Sequence, residues 1–280
     1  MKLLVTGARG QLGSSLVDYS RQLGISCIGV GREDFDVTDQ RATIDFISGC
    51  WPDAVIHCAS YNAVDRAEEE HELCFRVNVE GTANVATACS TVHAKMMYIS
   101  TDYVFDGTKP GFYEADDPVN PLSVYGKSKV AGEIEVQKRL KDFFIVRTSW
   151  LFGKNGNNFV RTIFKLSQTE DRIPVVNDQF GSPTYSADLV PLLLQMIQNE
   201  NYGFYHATNE GFCSWAEFAE EIMRITGSSC KIDRISSGEY PSRASRPKNS
   251  RLSKRSLTEN GYPTLPNWRD ALARFLSEIL

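Results

Sequence analysis

The amino-acid sequence predicts a doubly wound α/β protein, in which helices cover both faces of a parallel sheet, followed by a smaller C-terminal α/β lobe. Two observations lead to this class. In the first half of the 280 residues, short apolar runs alternate with segments of helical periodicity. In the second half this alternation weakens, and stretches rich in Gly, Asn and Pro separate the helical segments.

The first half supplies five strands and the helices between them. Apolar runs predict strands at Lys2–Thr6, Ser26–Val30, Ala54–His57, Lys95–Ser100 and Phe143–Thr148. Helical patterns predict helices over Gln11–Leu23, from a Thr38 cap to Ile47, over Glu72–Ala88 and over Val124–Leu140. Because strand–helix–strand units form right-handed crossovers between parallel strands, these elements build a parallel sheet.

The second half combines four helices with loops. The helices are predicted at Phe159–Ser167, Ala187–Gln198, Trp215–Thr226 and Arg269–Ile279, and ordered loops at Leu151–Asn158 and Val175–Tyr185. The segment Ser236–Arg251 has two interpretations. Its Ser, Gly and Pro residues suit a disordered loop, whereas other residues in it suit anion binding.

Composition and charge argue against several classes of protein. Hydrophobic residues make up 42% of the chain and charged residues 23%, as in ordinary globular proteins. A net charge of -5 disfavours a nucleic-acid partner, which needs a basic surface. No apolar run approaches the roughly 18 residues that a membrane span needs. Seven scattered cysteines and four histidines without ligand spacing predict neither disulfides nor a metal site, and fit the cytoplasm.

A glycine-rich turn joins the first strand to the first helix. Gly7, Gly10 and Gly13 form a G-x-x-G-x-x-G pattern. Glycine lets the backbone approach a pyrophosphate, and the helix N-terminus adds free N–H groups and a partial positive charge. A purely structural turn is the alternative, but the strand before it and the helix after it favour dinucleotide binding.

This turn suggests a division of the chain. Residues 1–150 are predicted to form a dinucleotide-binding domain of the Rossmann type. Residues 151–280 are expected to form mainly the substrate-binding lobe, with parts of roughly 170–200 returning to the first domain.

The end of the second strand bears on the choice of cofactor. An acidic residue there binds the ribose hydroxyls of NAD, whereas an arginine accepts the 2′-phosphate of NADP. Arg32 therefore favours NADP, although it also stands beside Glu33 and Asp34 as an exposed loop arginine does. Asp36 is expected either at the adenine edge or next to the Thr38 cap.

Tyr125 and Lys129 lie four residues apart in a predicted helix. Residues at this spacing share one helix face, so the phenol and the ammonium can point at the same spot. A fixed cation lowers the pKa of a nearby phenol, which makes the pair a proton donor or acceptor for an alcohol or ketone oxygen. A solvated helix face is the alternative, since the spacing alone is common.

With these two motifs, further segments resemble the extended short-chain dehydrogenase/reductase superfamily and, within it, the dTDP-4-dehydrorhamnose reductase family. These segments extend in order over essentially the whole chain, which makes the resemblance specific. They are 31–39, 64–68, 100–107, 125–129, 147–150, 156–159, 178–184 and 246–247.

The resemblance implies an activity and a catalytic set. The activity would be reduction of dTDP-4-dehydro-6-deoxy-L-mannose by NADPH or NADH to dTDP-L-rhamnose, a step of nucleotide-sugar and polysaccharide biosynthesis. Tyr125 would protonate the new alkoxide, and Lys129 would hold the nicotinamide ribose and depress the pKa of the tyrosine. Thr101 would hydrogen-bond the substrate oxygen.

The resemblance also implies binding residues. Besides Arg32, Tyr125 and Lys129, the cofactor would contact Gly7, Gly10, Gln11, Leu12, Gly13, Asp36, Val37, Ser60, Tyr61 and Asn62. The substrate would contact Val64, Asp65, Thr101, Asp102, Trp150 and Arg246. Three of these have simpler interpretations, as a helix cap at Asp65, core packing at Trp150 and a solvated arginine at Arg246.

Two departures separate this chain from related enzymes. Some members of the family bridge a dimer with glutamates and magnesium, and one of those glutamates falls at Ser15, which argues against a metal bridge but leaves a homodimer open. Dehydratases of the superfamily carry Thr-Asp-Glu after the fourth strand, where Tyr103 replaces the glutamate here.

Two other functions stay open: reduction of another nucleotide 4-keto-6-deoxy sugar, and an NADP-binding regulatory subunit of a methionine adenosyltransferase.

Overall fold

The computed structural model describes residues 1–280 and is built on a six-stranded sheet with helices on both faces. The whole chain contains fourteen strands, six of which form the main sheet and the rest two-stranded pairs. They are β1 (Lys2–Thr6), β2 (Ser26–Val30), β3 (Ala54–His57), β4 (Lys95–Thr101), β5 (Phe143–Thr148), β6 (Leu151–Phe152), β7 (Arg172–Val176), β8 (Phe180–Gly181), β9 (Thr184–Tyr185), β10 (Gly203–His206), β11 (Asn209–Glu210), β12 (Cys213–Ser214), β13 (Lys231–Ile235) and β14 (Leu265–Asn267).

Its helices alternate with these strands through the first half of the chain. They are α1 (Gln11–Gln22), α2 (Gln40–Cys50), α3 (Val64–Ala67), α4 (His71–Phe75), α5 (Thr82–Val92), α6 (Val124–Arg139), α7 (Phe159–Leu166), α8 (Ser186–Ile197), α9 (Trp215–Thr226), α10 (Arg255–Glu259) and α11 (Trp268–Ile279). A π-helical segment, Arg76–Gly81, joins α4 to α5. None of these helices has the length and apolarity that crossing a bilayer demands.

The predicted fold class is confirmed. The strands of the main sheet are all parallel and follow the order β10-β5-β4-β3-β1-β2. The chain leaves β1 toward β2 and then returns to the other side of β1 as β3. In a sheet of this kind, the crevice at the carboxyl ends of the strands beside this switch point is where a ligand binds.

The five predicted strands and most of the long helices lie where the sequence places them, with small differences at their ends. The helix predicted over Glu72–Ala88 is instead divided into α4, the π-helical segment Arg76–Gly81 and α5, which extends to Val92. One cap is wrong. The Thr38 hydroxyl donates to the Asp36 carboxylate at 2.9 Å, whereas Asp39 caps α2 by accepting the backbone N–H of Ala42 at 3.0 Å. Asp39 is the cap because α2 begins at Gln40, one residue later than a Thr38 cap requires, so the Asp39 carboxylate faces the free N–H groups of the first turn.

Apolar cores lie on both faces of the main sheet. On one face, Leu16 of α1 and Leu189 and Leu193 of α8 pack against buried strand residues. On the other face, Val85 of α5 and Val136 of α6 do the same. Because α8 and β10 come from beyond residue 150, the second half of the chain contributes a helix and an edge strand to the sheet.

A third core holds the C-terminal lobe together. It contains Phe152, Phe218, Trp268 and Phe275, and it packs beside the parallel pair β7–β13. Strands β7, β10 and β13 were not predicted, and the end of β7 falls in the predicted loop Val175–Tyr185. These strands are short and lie at sheet edges or in two-stranded pairs, so tertiary pairing rather than a strong local pattern determines them.

Candidate active site

A cleft of about 850 Å³ opens at the carboxyl ends of β1, β3 and β4. It extends from the glycine turn to Trp150 and brings together almost all the residues that the sequence nominated. Those lining it are Gly7, Gly10, Gln11, Leu12, Gly13, Arg32, Asp36, Val37, Ser60, Tyr61, Asn62, Val64, Thr101, Asp102, Tyr125, Lys129 and Trp150. Arg246 lines a small adjoining cavity, and Asp65 lines neither.

The glycine turn has no room for side chains. A Cβ on Gly7, which has a φ of +65°, would lie 2.6 Å from the backbone nitrogen of Ala59. A Cβ on Gly13 would lie 2.2 Å from the carbonyl oxygen of Gly7. No acidic side chain occupies the first turn of α1, and Gly10 gives it no side-chain cap. The turn therefore forms a backbone cradle with free N–H groups at a helix N-terminus, which fits a diphosphate.

The loop after β3 faces this turn and is held by one buried amide. Asn78, in the π-helical segment, accepts from the backbone N–H of Tyr61 at 2.7 Å and from the Ser60 hydroxyl at 3.0 Å. Its NH₂ group donates to the Tyr61 carbonyl and, at 2.9 Å, to the hydroxyl of Ser128 on α6. Asn78 thus ties the loop to the helix that carries Tyr125 and Lys129. Asn78 was not among the site residues predicted from the sequence.

At the far end of the cleft, Arg32 is exposed and lies beside Asp36. Its Nε is 3.2 Å from a carboxylate oxygen of Asp36. The other oxygen of Asp36 accepts from the backbone N–H and the hydroxyl of Thr38. The bond from the Thr38 backbone is the main reason that the pKa of Asp36 is lowered. Arg32 lies two residues beyond the end of β2, and its exposed guanidinium is accessible to a phosphate bound in the cleft.

Tyr125 lies near the N-terminus of α6, which Ser123 caps by accepting from the backbone N–H of Gly126 at 3.1 Å. Burial raises the pKa of Tyr125 above its ordinary value, against a smaller opposing effect of the Thr101 hydroxyl. This differs from the expectation that Lys129 depresses it. The phenol is therefore protonated at neutral pH, as a proton donor must be.

Lys129 is buried one helical turn further along α6. Its Nζ donates to the carbonyl of Ile99 at 2.8 Å and lies 4.0 Å from the ring centroid of Tyr98. Burial lowers the pKa of Lys129 to about 7, and the negative charge of Glu133 opposes that shift. The ammonium therefore points at the end of β4 rather than at a free helix face.

Asp102 and Trp150 also line the cleft. Burial raises the pKa of Asp102 to about 6, against hydrogen bonds such as that from Thr101, and its Oδ2 has no hydrogen-bond partner in the protein. Trp150 has a φ of +47° and stacks on Trp215 at 3.5 Å between ring centroids. Trp150 therefore both lines the cleft and packs against the C-terminal lobe. Trp215 had no sequence signal beyond starting a helix.

Asp65 does not cap α3, and it does not face the cleft. Its carboxylate lies 2.7 Å from the guanidinium of Arg246 and accepts the backbone N–H groups of Arg243 and Ala244. These bonds order the segment 236–251 at this point. They hold Arg246 at the small cavity that Asp102, Trp150 and Trp215 also line.

The sheet is doubly wound, with a phosphate cradle at its switch point and with Tyr125 and Lys129 of α6 in the cleft near the end of β4. These features define a nucleotide-dependent oxidoreductase of the short-chain dehydrogenase/reductase class. The particular family follows from comparison. The family model described as RmlD substrate binding domain matches residues 1–280, and the chain belongs to that family.

Named relatives agree over the full length. The spore coat polysaccharide biosynthesis protein SpsK of Bacillus subtilis is 39% identical over 99% of this chain and 97% of its own. A dTDP-4-dehydrorhamnose reductase of Sinorhizobium fredii is 36% identical over 100% of this chain and 98% of its own. The crystal structure of dTDP-4-dehydrorhamnose reductase from Bacillus anthracis in complex with NADP is 40% identical, with a TM-score of 0.97, and covers 99% of this chain and 100% of that one.

Proposed function

We propose that this protein reduces dTDP-4-dehydro-6-deoxy-L-mannose to dTDP-L-rhamnose with NADPH or NADH. The observation that carries the proposal is that Tyr125, Lys129 and Thr101 line one cleft, with Lys129 and Thr101 buried and Tyr125 partly buried. Full-length relatives named dTDP-4-dehydrorhamnose reductase support the substrate. The name of SpsK supports a place in polysaccharide biosynthesis.

The residues of the cleft fit a dinucleotide. The cradle formed by Gly7, Gly10 and Gly13 would hold the diphosphate, and Asp36 and Val37 would line the adenine pocket. Arg32 would meet a 2′-phosphate, which supports NADP as the preferred cofactor. When bound, the nicotinamide cofactor supplies the hydride.

Tyr125 supplies the proton. Its phenol stays protonated at neutral pH because burial disfavours the phenolate. As the carbonyl carbon is reduced, negative charge develops on the carbonyl oxygen, and the phenolic proton moves from Tyr125 to that oxygen. The Thr101 hydroxyl orients the phenol. The Lys129 ammonium, which also donates to the Ile99 carbonyl, would hold the nicotinamide ribose hydroxyls.

The substrate wall has groups for both parts of a nucleotide sugar. Asp102 Oδ2 is buried without a partner and would accept a sugar hydroxyl. The flat ring of Trp150 would pack on the sugar, and Val64 lines the same cleft. Arg246, held by Asp65, would neutralise the nucleotide diphosphate. We retain a homodimer and the cytoplasm as the proposed assembly and compartment.

The decisive assay mixes the purified protein with dTDP-4-dehydrorhamnose and follows cofactor absorbance with NADPH and then NADH. We expect oxidation with both and a preference for NADPH. The product is identified by its sugar stereochemistry, which separates dTDP-L-rhamnose from an epimeric 6-deoxy sugar. Failure to oxidise either cofactor would refute the assignment. Copurification with a methionine adenosyltransferase would then point to the regulatory role.

A further inference from the structure

A buried carboxylate outside the cleft lies on α6, the helix that carries Tyr125 and Lys129. Glu133, on α6, is 3% exposed and accepts from the hydroxyl of Ser100 at 2.6 Å. It also accepts two bonds from Arg147, from Nε at 2.9 Å and from a terminal nitrogen at 2.8 Å. Ser100 on β4 and Arg147 on β5 are direct partners in the sheet register. Two neighbouring strands thus hold one carboxylate.

Arg147 is itself immobilised. It donates to the carbonyl of Ala115 at 3.0 Å, and its guanidinium lies 5.2 Å from the ring centroid of Phe105 and 5.0 Å from that of Phe204. A bidentate arginine held on three other sides fixes the position of its carboxylate partner. Glu133 therefore cannot turn toward solvent without leaving a buried guanidinium unpaired.

The placement of Glu133 follows the helix repeat. Tyr125, Lys129 and Glu133 succeed one another at intervals of four and form one stripe on α6. Successive residues of β4 hold two members of that stripe, since the Ile99 carbonyl accepts from Lys129 and the Ser100 hydroxyl donates to Glu133. The bonds to Glu133 therefore fix the rotation of α6 that directs Lys129 and Tyr125 into the cleft.

Among the groups that raise the pKa of Lys129, Glu133 has the largest effect. The other titratable groups near this ammonium are neutral at pH 7, because burial lowers the pKa of the histidine and raises those of the thiols and phenols. They are His57, Cys58, Cys74, Tyr98 and Tyr125. A buried ammonium without a fixed anion loses its proton easily.

We propose that Glu133 is a positioning residue that keeps the Lys129 ammonium charged and directed into the cleft. This inference rests on the proposed reductase function, in which Lys129 acts as a cation. Substitution of Glu133 should therefore change the pH dependence of cofactor binding and turnover, and not only the stability of the protein.

The test compares Glu133→Gln with wild type in the full chain. The NADPH dissociation constant, read from quenching of tryptophan fluorescence, and kcat/KM for dTDP-4-dehydrorhamnose are measured between about pH 5.5 and 9.5. We expect both to deteriorate with rising pH about one pH unit earlier in Glu133→Gln, because one fixed negative charge is lost. Glu135→Gln is the matched control, since Glu135 pairs with Lys138 on the same helix but away from the stripe.

A second variant separates charge from packing. Glu133→Gln alone leaves Arg147 buried and unpaired, so it is expected to lower the melting temperature. In Glu133→Gln/Arg147→Met both charges are removed, and we expect stability to recover while the pH limb stays displaced. A folded double variant with a wild-type pH limb would overturn the proposal.

Two further outcomes are distinguishable. If neither variant folds, Glu133→Asp decides, because it keeps the charge, and a limb displaced by a full pH unit in that variant would contradict the proposal. If wild type binds NADPH but reduces no keto sugar, the proposed function fails, while the NADPH profile still tests the role of Glu133.

Discussion

The carboxylate of Asp65 and the guanidinium of Arg246 lie 2.7 Å apart and join α3 to a segment 181 residues further along the chain. Asp65 also accepts from the hydroxyl of Ser242 at 3.1 Å and from the backbone of Ala244 at 3.1 Å. Although burial opposes it, the bonds from Arg246 and Ala244 lower the pKa of Asp65 to about 2. One carboxylate therefore anchors the segment that carries Arg246.

Removing this anchor should weaken substrate binding. In Asp65→Asn, Arg246 loses its charged partner, and we expect KM for the nucleotide sugar to rise about tenfold, which corresponds to roughly 1.4 kcal/mol, with kcat changed much less. Initial rates over a range of substrate concentrations check this. The control is Glu69→Gln, which breaks the exposed pair Arg243–Glu69 between the same two segments. Equal effects of the two substitutions would contradict a specific role for Asp65.

Tyr125→Phe should remove the proton donor and leave the cofactor site. Positioned general acids contribute about 10²–10⁴-fold to rate, so we expect a loss of kcat in that range with an NADPH dissociation constant close to that of wild type. Steady-state kinetics and fluorescence titration measure the two quantities. Near-normal turnover in this variant would refute the assigned role.

Arg32 should determine the preference between the two nicotinamide cofactors. A hydrogen bond to a charged group contributes about 1.5–3 kcal/mol, so Arg32→Ala is expected to raise KM for NADPH by about 10–100-fold and to leave KM for NADH nearly unchanged. Arg41→Ala, which removes an exposed arginine of α2, is the matched control. If Arg32→Ala affected both cofactors equally, the arginine would not be reading a 2′-phosphate.

Gly13 should tolerate no side chain. A Cβ there would lie 2.2 Å from the carbonyl oxygen of Gly7, so Gly13→Ala must deform the cradle. We expect lower stability and at least about tenfold weaker NADPH binding, since a tenfold change needs only about 1.4 kcal/mol. Gly49→Ala in α2 meets no atom within 4 Å and should stabilise the protein by about 0.5–1 kcal/mol. Thermal unfolding and NADPH titration distinguish the two sites.

Asp102 should make stability depend on pH. Burial raises its pKa to about 6 from an ordinary value of 3.8, so the folded protein binds this proton more tightly than the unfolded chain does. The favourable contribution is complete below about pH 4 and is lost as pH rises through about 6, with roughly 3 kcal/mol lost by pH 7. Urea unfolding at pH 4 and pH 7 should show this decrease in wild type and a smaller one in Asp102→Asn. Parallel pH profiles would show that Asp102 titrates normally.

Much of the fold was readable in advance because its signals are local. The apolar runs of β1 to β5 are bounded by turns, and the glycine turn at 7–13 stands between a strand and a helix. The strand β10 was missed because four residues, Gly203–His206, contain no strong pattern of their own. They become a strand by pairing with β5. Most of the predicted site residues follow a predicted strand. They line the cleft because the carboxyl ends of parallel strands meet at one edge of the sheet.

The parallel α/β class, the glycine turn and the spacing of Tyr125 and Lys129 can be read from the amino-acid order, because strand periodicity, glycine conformation and the helix repeat act over a few residues. The folded structure alone shows that burial raises the pKa of Tyr125 and that Ser100 and Arg147 hold the Glu133 carboxylate. It also decided that Asp65 binds Arg246 instead of facing the cleft. Protonation and ion pairing depend on desolvation and on groups far apart in the chain, which the local pattern does not contain.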